Sequence, residues 1–189
     1  MAADQKKTRR LGAYLAFVDE SGFLLIPTVR RTWAPRGKTP LLYHSYRRDR
    51  ISTISALTVS PRQARVGLYV RFHNKNLTGI EVLDFLCQLR QHLRRPIVLL
   101  WDGGPIHCRK IVKDYIARNR YRLHVYRFPA YAPELNPDEY VWTQSKACLA
   151  NDAPTNIEEL NADLRATLAR IGSSQWLLQA CLRQPSLFF

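Results

Sequence analysis

The sequence predicts an α/β protein in which a mixed β-sheet is covered by helices. Apolar segments of strand length come first, at 14–20, 22–29, 51–59 and 65–72, and two more, at 96–101 and 122–127, alternate with helical segments. Consecutive strands favour antiparallel pairing, whereas strands separated by helices favour parallel pairing. With 189 residues, 46% of them apolar, the chain is long enough for one sizeable core. We therefore expect a basic tail over 1–13 and a single domain over 14–189.

Four segments have the periodicity and the start signals of helices. Two begin with a capping box, at Thr78–Glu81 and at Thr155–Glu158. Between them, one helix follows Asp102, and another begins at Asn136 with Pro137 in the first helical position. The residues of the first helix that we expect to face the core are Val82, Leu86, Leu89 and Leu93.

The charge of the chain indicates a nucleic-acid partner. The net charge is +14 and the pI is about 10.1, as expected of a protein that follows a phosphate backbone. Basic ribosomal and membrane-surface proteins share such a charge, so it does not identify the partner alone. The stretch 30–50 is predicted to be a basic, proline-containing loop. The side chains that we take as candidates for DNA contacts are Arg30, Arg31, Arg36, Lys38, Arg109, Lys110 and Lys146.

The sequence has no signal for a membrane or for secretion. No run of about eighteen apolar residues is present, so no transmembrane helix is expected. The N-terminal segment is basic but lacks an apolar signal core. We therefore expect a cytoplasmic protein.

Three acidic residues occupy positions that favour a metal site. Asp19 and Asp102 each end a buried apolar strand, and Asp102 is followed by two glycines. Carboxylates at the C-terminal ends of such strands lie at the sheet edge where α/β sites form. Glu139 lies at the start of the predicted third helix. If the strands are neighbours and the helix crosses them, the three carboxylates meet, and divalent cations would stabilise the cluster.

The segments around these carboxylates resemble the catalytic blocks of DDE transposases, in particular those of the bacterial insertion-sequence branch of the Tc/mariner superfamily. The segments are Phe17–Gly22, Leu100–His107 and Phe128–Trp142. The third is the most specific, because its Pro, Tyr, Leu-Asn-Pro, Glu and Trp occur at the spacing of the family. The 36 residues between Asp102 and Glu139 also fit the superfamily. Arg30–Gly37 resembles a stretch that this branch carries after its first block.

The resemblance, which covers about residues 14–150, implies an RNase H-like fold with a mixed five-stranded sheet flanked by helices on both faces. It implies that Asp19, Asp102 and Glu139 are catalytic and hold two divalent ions. Because the ligands are all carboxylate oxygens, Mg²⁺ or Mn²⁺ is expected rather than zinc. The implied activity is cleavage of DNA at transposon ends and strand transfer to target DNA during insertion-sequence transposition. It would take place at the bacterial nucleoid, with a homodimer in the active complex.

Neighbouring residues compete for these roles near the first two blocks. Glu20 is adjacent to Asp19, but consecutive strand residues face opposite sides of a sheet. Only one of the two is therefore expected to point at the site, and the family pattern selects Asp19. His107 follows Asp102 by five residues, and the family block often carries a histidine there. It is a candidate for supporting a metal ligand, although a lone histidine is more commonly structural.

The third block has its own alternatives. Glu139 lies three residues after Asn136 and could instead be its capping-box partner, although the family block favours catalysis. Asp138 is better explained as a favourable charge at the helix N-terminus. Trp142 and Tyr131 are interpreted as packing residues rather than residues that stack on bases.

One departure from the family concerns the recognition of DNA sequence. Its members carry upstream helix-turn-helix modules that recognise terminal repeats, whereas only the basic tail precedes residue 14 in this sequence. We therefore expect an upstream helix-turn-helix polypeptide as a partner, and the chain to be the product of a split reading frame or a decayed remnant. Two other functions stay open: an RNase H-like nuclease without joining activity, and a non-catalytic DNA-binding product that regulates a full-length transposase.

Overall fold

The computed structural model describes residues 8, 10–43, 47–62, 65–129 and 132–183. The strands of these residues form one mixed sheet in the order β3-β2-β1-β4-β5. Strand β2 is antiparallel to both β1 and β3, whereas β4 is parallel to β1 and β5 is parallel to β4. The strands are β1 (Tyr14–Leu24), β2 (Arg50–Val59), β3 (Val66–His73), β4 (Ile97–Trp101) and β5 (Leu123–Arg127).

Helices cover both faces of this sheet, as predicted. Along β1, Leu15 and Phe17 face a core shared with three helices, whereas Ala16 and Val18 face a second core shared with the other two. This alternation follows from the two-residue period of a strand. The first three helices are α1 (Gly79–His92), α2 (Lys110–Arg118) and α3 (Asp138–Cys148), and the last two are α4 (Ile157–Ser173) and α5 (Gln175–Leu182). Helices α1 and α2 cover the face of Val18, and α3, α4 and α5 cover the face of Phe17.

The first strand is longer than the sequence suggested. The separate strand predicted at 22–29 is wrong, because β1 continues through Gly22, which pairs with Ser52, and ends at Leu24. Pairing with the long strand β2 holds the glycine extended, although a glycine between two apolar segments resembles a turn. The predicted loop is confirmed over 30–43 and 47–49, which have no helix or strand.

The chain before β1 also contacts the domain. Ala13 is fully buried, its N–H donates to the Thr8 carbonyl at 3.0 Å, and Leu11 packs against the core. The last residues of the predicted tail therefore belong to the packed structure. None of the described helices is long and apolar enough to cross a membrane.

The capping box of α1 is confirmed. The Thr78 N–H donates to Glu81 Oε2 at 2.8 Å, and the Thr78 hydroxyl accepts from the Ile80 N–H at 3.2 Å. Glu81 is buried and pairs with Lys75 at 2.6 Å. The bonds from Lys75 and Thr78 favour the charged carboxylate and lower the pKa of Glu81 to about 2. The apolar residues predicted to face the core from this helix are buried.

Two other helix starts differ from the prediction by one residue. The N-cap of α4 is Asn156 rather than Thr155, because Asn156 Oδ1 accepts from the Glu159 N–H at 2.8 Å. Glu159, not Glu158, is the acidic residue of the capping motif, because its carboxylate accepts hydrogen bonds from the N–H and the hydroxyl of Thr155. Consecutive cap-forming residues made the two registers indistinguishable in the sequence.

The start of α3 is displaced in the same way. This helix begins at Asp138, and Pro137 takes the N-cap position instead of the first helical position. Asn136 nevertheless caps the helix through its side chain, since its Oδ1 accepts from the Asp138 N–H at 3.2 Å.

The Glu81 network makes stability dependent on pH. Because the pKa of Glu81 is lowered in the folded protein, its stabilisation is present above the ordinary glutamate pKa and is lost as the pH falls towards 2. We expect Glu81→Gln to reduce the free energy of unfolding by about 1 kcal/mol at pH 7. The deficit should be smaller at pH 3, measured by urea denaturation. The exposed first-turn variant Glu158→Gln is the control, and an equal deficit for Glu81→Gln at both pH values would contradict the assignment.

Candidate active site

The first two predicted carboxylates lie side by side. Strands β1 and β4 pair in parallel with Phe17 opposite Leu100, and Asp19 and Asp102 each follow two residues later. Both side chains therefore lie at the same level of the sheet, next to the C-terminal end of β4. This is the edge at which α/β proteins form their sites. The prediction that Asp19 ends its strand is wrong, because β1 continues to Leu24 and Asp19 pairs with Ser55 of β2.

Asp19 is held in a buried position. Its side chain is only 9% exposed, and the indole N–H of Trp142 donates to Asp19 Oδ2 at 3.0 Å. Burial raises the pKa of Asp19 to about 8, with further contributions from the charges of Glu139, Glu20 and Asp102. Four carboxyl groups therefore interact at this end of the sheet.

Glu139 approaches from α3. It is half-buried in the first turn, and its charge raises the pKa of both Asp19 and Asp138. The main-chain N–H of Glu139 donates to the Asn136 carbonyl at 3.1 Å. Among the described contacts, no hydrogen bond joins the Asn136 N–H to the Glu139 carboxylate, so the geometry gives no support to the capping-box alternative.

Asp138 differs from its predicted role. It is fully buried, and the Ser55 hydroxyl donates to Asp138 Oδ2 at 2.6 Å, whereas Oδ1 has no partner in the described structure. Burial raises its pKa well above the ordinary value, which favours a neutral carboxyl. The interpretation as a favourable charge at the helix end is therefore wrong. Ser55 pairs with Asp19 across β1 and β2, so this contact fixes α3 next to Asp19.

His107 joins two of the carboxylates. Its Nε2 lies 2.9 Å from Glu20 Oε1, and its Nδ1 lies 2.9 Å from Asp102 Oδ1. The ring is stacked on Trp101 with centroids 4.1 Å apart. Burial disfavours the charged ring, but the bonds and charges of Asp102 and Glu20 outweigh it and raise the pKa of His107 to about 10. His107 therefore bridges the two carboxylates as a cation.

Glu20 is a site residue that the sequence reasoning set aside. It faces the side of the sheet opposite to Asp19, as strand geometry requires. His107 nevertheless connects it to Asp102. The expectation that only one of the two acidic residues takes part in the site was therefore too restrictive. Trp142 was expected only to pack, but it also donates to Asp19, and its position three residues after Glu139 was the available signal.

The donor set fits a divalent cation. Among the described residues, ligand atoms of Glu20, Asp102 and His107 lie within 4.8 Å of one another, whereas the carboxylate oxygens of Asp19, Asp102 and Glu139 are not brought together as closely. Both ring nitrogens of His107 are engaged by carboxylates, which leaves oxygen atoms as the available donors. Carboxylate oxygens suit hard cations, and a cation would relieve the repulsion that contributes to the raised pKa of Asp19.

The basic residues predicted to contact DNA are all exposed. The candidates from Arg30 to Lys38 lie in the segment that follows β1. In this segment the Arg30 N–H donates to Asn151 Oδ1 at 2.8 Å, which attaches the segment to the rest of the domain. Arg109 and Lys110 lie at the start of α2, and the ammonium group of Lys146 lies 5.9 Å from the Phe23 ring centroid. Their contacts with DNA stay predictions. Tyr131 lies outside the described residues.

Comparison of the sequence with models of protein families identifies the family of this chain. The model of the family described as DDE superfamily endonuclease matches residues 14–161, which include all three predicted carboxylates. The chain belongs to this family. The predicted resemblance to DDE enzymes is thereby confirmed. No curated protein sequence matches the chain.

Solved structures of a transposase and of a viral intasome have a similar fold. The Mos1 transposase paired-end complex with left transposon end matches with a TM-score of 0.63 and 16% identity, covering 95% of this chain and 57% of that one. The catalytic domain of Mos1 mariner transposase matches at 0.54 and 13%, covering 100% and 91%. A simian T-cell lymphotropic virus intasome matches at 0.54 and 14%, covering 95% and 58%. The RNase H-like fold is confirmed, and the chain spans 57% of the Mos1 chain in the first complex.

The bond from Trp142 to Asp19 can be tested by substitution. Trp142→Phe keeps an aromatic ring but removes the donor to a buried carboxylate oxygen, so we expect a loss of about 1–3 kcal/mol in unfolding free energy. In an Asp19→Ala background, where the acceptor is absent, the same substitution should cost less. Equal costs in the two backgrounds, measured by denaturant titration, would show that packing alone is responsible.

The raised pKa of Asp19 predicts a direction for the effect of pH. Without divalent ions, the folded protein binds this proton more tightly than the unfolded chain, so stability falls as the pH rises from about 4 to about 8. Asp19→Asn cannot ionise, so its stability relative to the natural chain should increase over this interval. Thermal unfolding in chelator at pH 5 and pH 8 measures this difference, and a difference that does not change with pH would refute it.

Proposed function

We propose that this chain is the catalytic domain of a transposase, with Asp19, Asp102 and Glu139 as its catalytic residues. The observation that carries the proposal is the meeting of three chain segments at one end of the sheet. Two carboxylates come from neighbouring parallel strands, and the third comes from the start of α3. All three lie within the match to the DDE endonuclease family. The reaction would be DNA strand cleavage followed by strand transfer during insertion-sequence transposition.

We propose that the same three carboxylates hold two Mg²⁺ or Mn²⁺ ions. When bound, such ions supply positive charge at the scissile phosphate and at the attacking and leaving oxygens. Two of the matched Mos1 paired-end complexes are described as containing Mn and Mg. The donor set of this chain supports the same choice, because Asp19, Asp102 and Glu139 offer only oxygen atoms.

The surrounding residues would orient these ligands. Trp142 donates to one oxygen of Asp19, Oδ2. His107 holds Asp102 from one side, and its ring is fixed by the stack on Trp101. Ser55 holds Asp138, which places the next residue, Glu139, at the end of the sheet. The carboxylates of Asp19 and Asp102 are therefore positioned before DNA binds, as effective catalysis requires, and Glu139 is positioned through its main chain.

The proposed partners are transposon ends and target DNA. The matched Mos1 structures are described as a paired-end complex and a strand transfer complex, which supports this choice. We also propose a homodimer in the active complex. The net charge of +14 is consistent with DNA as the partner. We propose in addition an upstream helix-turn-helix polypeptide that directs the catalytic domain to terminal repeats, and a cytoplasmic, nucleoid-associated location.

Substitution of the carboxylates tests the proposal. Asp19→Ala, Asp102→Ala and Glu139→Ala should each reduce Mg²⁺-dependent cleavage of a transposon-end duplex by about 10²-fold or more. DNA affinity should be unchanged or higher, because each substitution also removes a charge that repels phosphate. Asp152→Ala, which removes an exposed carboxylate outside this cluster, is the control. A Glu139→Ala chain that cuts at the full rate would reject the assignment.

The products of the same reaction separate the proposed function from its alternatives. A transposase yields nicked and joined DNA when a target duplex is present. Nicked DNA without joined products would indicate a nuclease. Full repression of transposition by the triad variants, without cleavage by the natural chain, would indicate a regulator that acts through DNA binding alone.

A further inference from the structure

Arginines are concentrated at the end of the sheet opposite the carboxylates. Three connections lie there: the β2–β3 turn, the α1–β4 loop and the α2–β5 loop. Each carries two exposed arginines. We refer to these six residues as the arginine end: Arg62, Arg65, Arg94, Arg95, Arg120 and Arg122.

The charge of the arginine end is not compensated locally. The sequences of the three connections, 60–65, 93–96 and 119–122, contain no aspartate or glutamate. Within the described part of the chain, none of the six arginines forms an ion pair. The Arg122 side chain donates to the carbonyl of Arg94, and the Arg120 guanidinium lies 5.1 Å from the ring centroid of Tyr121, which is 76% exposed. The guanidinium groups of the other four arginines make no hydrogen bond or ion pair in the described structure and are available to an anionic partner.

The dimensions of this surface fit a nucleic-acid backbone. Between β2 and β5 the sheet has three strand spacings, which amount to about 14 Å. This length corresponds to about four base pairs of duplex DNA at 3.4 Å per step. Guanidinium groups form paired hydrogen bonds with phosphate oxygens, which suits arginine better than lysine for this contact.

The arginine end is separated from the candidate active site by the full height of the sheet. Arg95 and Asp102 are seven residues apart along an extended strand, which corresponds to roughly 23 Å. Helices cover both faces of the sheet between the two ends. A straight duplex that lies across the carboxylates therefore does not reach the arginine end.

We propose that the arginine end binds a second DNA duplex through its phosphates, separately from the duplex at the carboxylates. The choice of DNA rests on the proposed function, whereas the preference for a polyanionic backbone follows from the arginines. Binding there requires no catalytic carboxylate and no metal ion. One chain would then hold two segments of DNA at opposite ends of its sheet.

The number of duplexes bound per chain tests this inference. The full chain is titrated with a 12-base-pair duplex at low salt, and the complexes are counted by native mass spectrometry. We expect two duplexes per chain, and one for the variant Arg62→Ala/Arg65→Ala/Arg94→Ala/Arg95→Ala. These four side chains make no hydrogen bond or ion pair in the described structure, so the variant should fold normally. In the natural chain, these four arginines should contribute about 3–4 to the log–log salt slope of the second binding event.

A matched control removes the same charge from the covering helices. The variant Lys113→Ala/Arg165→Ala/Arg170→Ala/Arg183→Ala should still bind two duplexes per chain. Loss of the second duplex in the control as well would show that total charge, not the arginine end, is responsible, and would overturn the inference. One duplex per natural chain would also overturn it.

Two further measurements distinguish DNA binding at the arginine end from an effect on the candidate active site and from binding of an acidic polypeptide. Loss of Mg²⁺-dependent cleavage by the arginine-end variant would contradict a separate surface. If polyglutamate displaces the second duplex better than unlabelled duplex of equal charge does, the surface fits an acidic polypeptide and the proposal of DNA is wrong. If the natural chain binds two duplexes but cuts neither, the proposed function fails while this inference stands.

Discussion

Repulsion between carboxyl groups is the constraint that organises the carboxylate end of the domain. Burial raises the pKa of Asp19, and the charges of Glu139, Glu20 and Asp102 raise it further. Such a cluster is stable only if donors and cations compensate it. Trp142 supplies an N–H to Asp19, and His107 supplies a positive charge between Glu20 and Asp102. The local structure is therefore largely a means of holding these groups together.

Helix α3 contributes both to the carboxylate cluster and to the hydrophobic core of the domain. Asp138 is anchored to β2 through Ser55, Glu139 lies at the carboxylate end, and Trp142 lies one turn further on. Residues three or four apart share a helix face, so one short helix can deliver a carboxylate and the donor for another. Trp142 is also part of the hydrophobic core with α4 and α5. Displacement of this helix would therefore disturb the core and two carboxylates together.

The sequence predicted the architecture better than it predicted contacts. Apolar strands and helical periodicity were sufficient for the mixed sheet, since they depend on local pattern. They failed at Gly22, where pairing with β2 overrides a turn signal, and at Asn156, where two capping registers are locally equivalent. They also excluded Glu20, because strand alternation places it on the face opposite to Asp19 and does not encode the contact through which His107 joins it to Asp102. The bond from Ser55 to the buried Asp138 spans 83 residues, and no local pattern encodes such a contact.

The distribution of charge gives the two ends of the sheet different relations to DNA. The net charge of +14 attracts a polyanion from a distance, and exposed arginines contribute to this attraction. The carboxylate cluster opposes it only nearby, because ionic screening limits its field to about 8–10 Å at physiological salt. A phosphate that reaches the carboxylate end therefore meets local repulsion unless a cation neutralises the cluster. Attraction of DNA to the chain and entry of a phosphate into the candidate active site are thus separate steps, and only the entry depends on divalent ions.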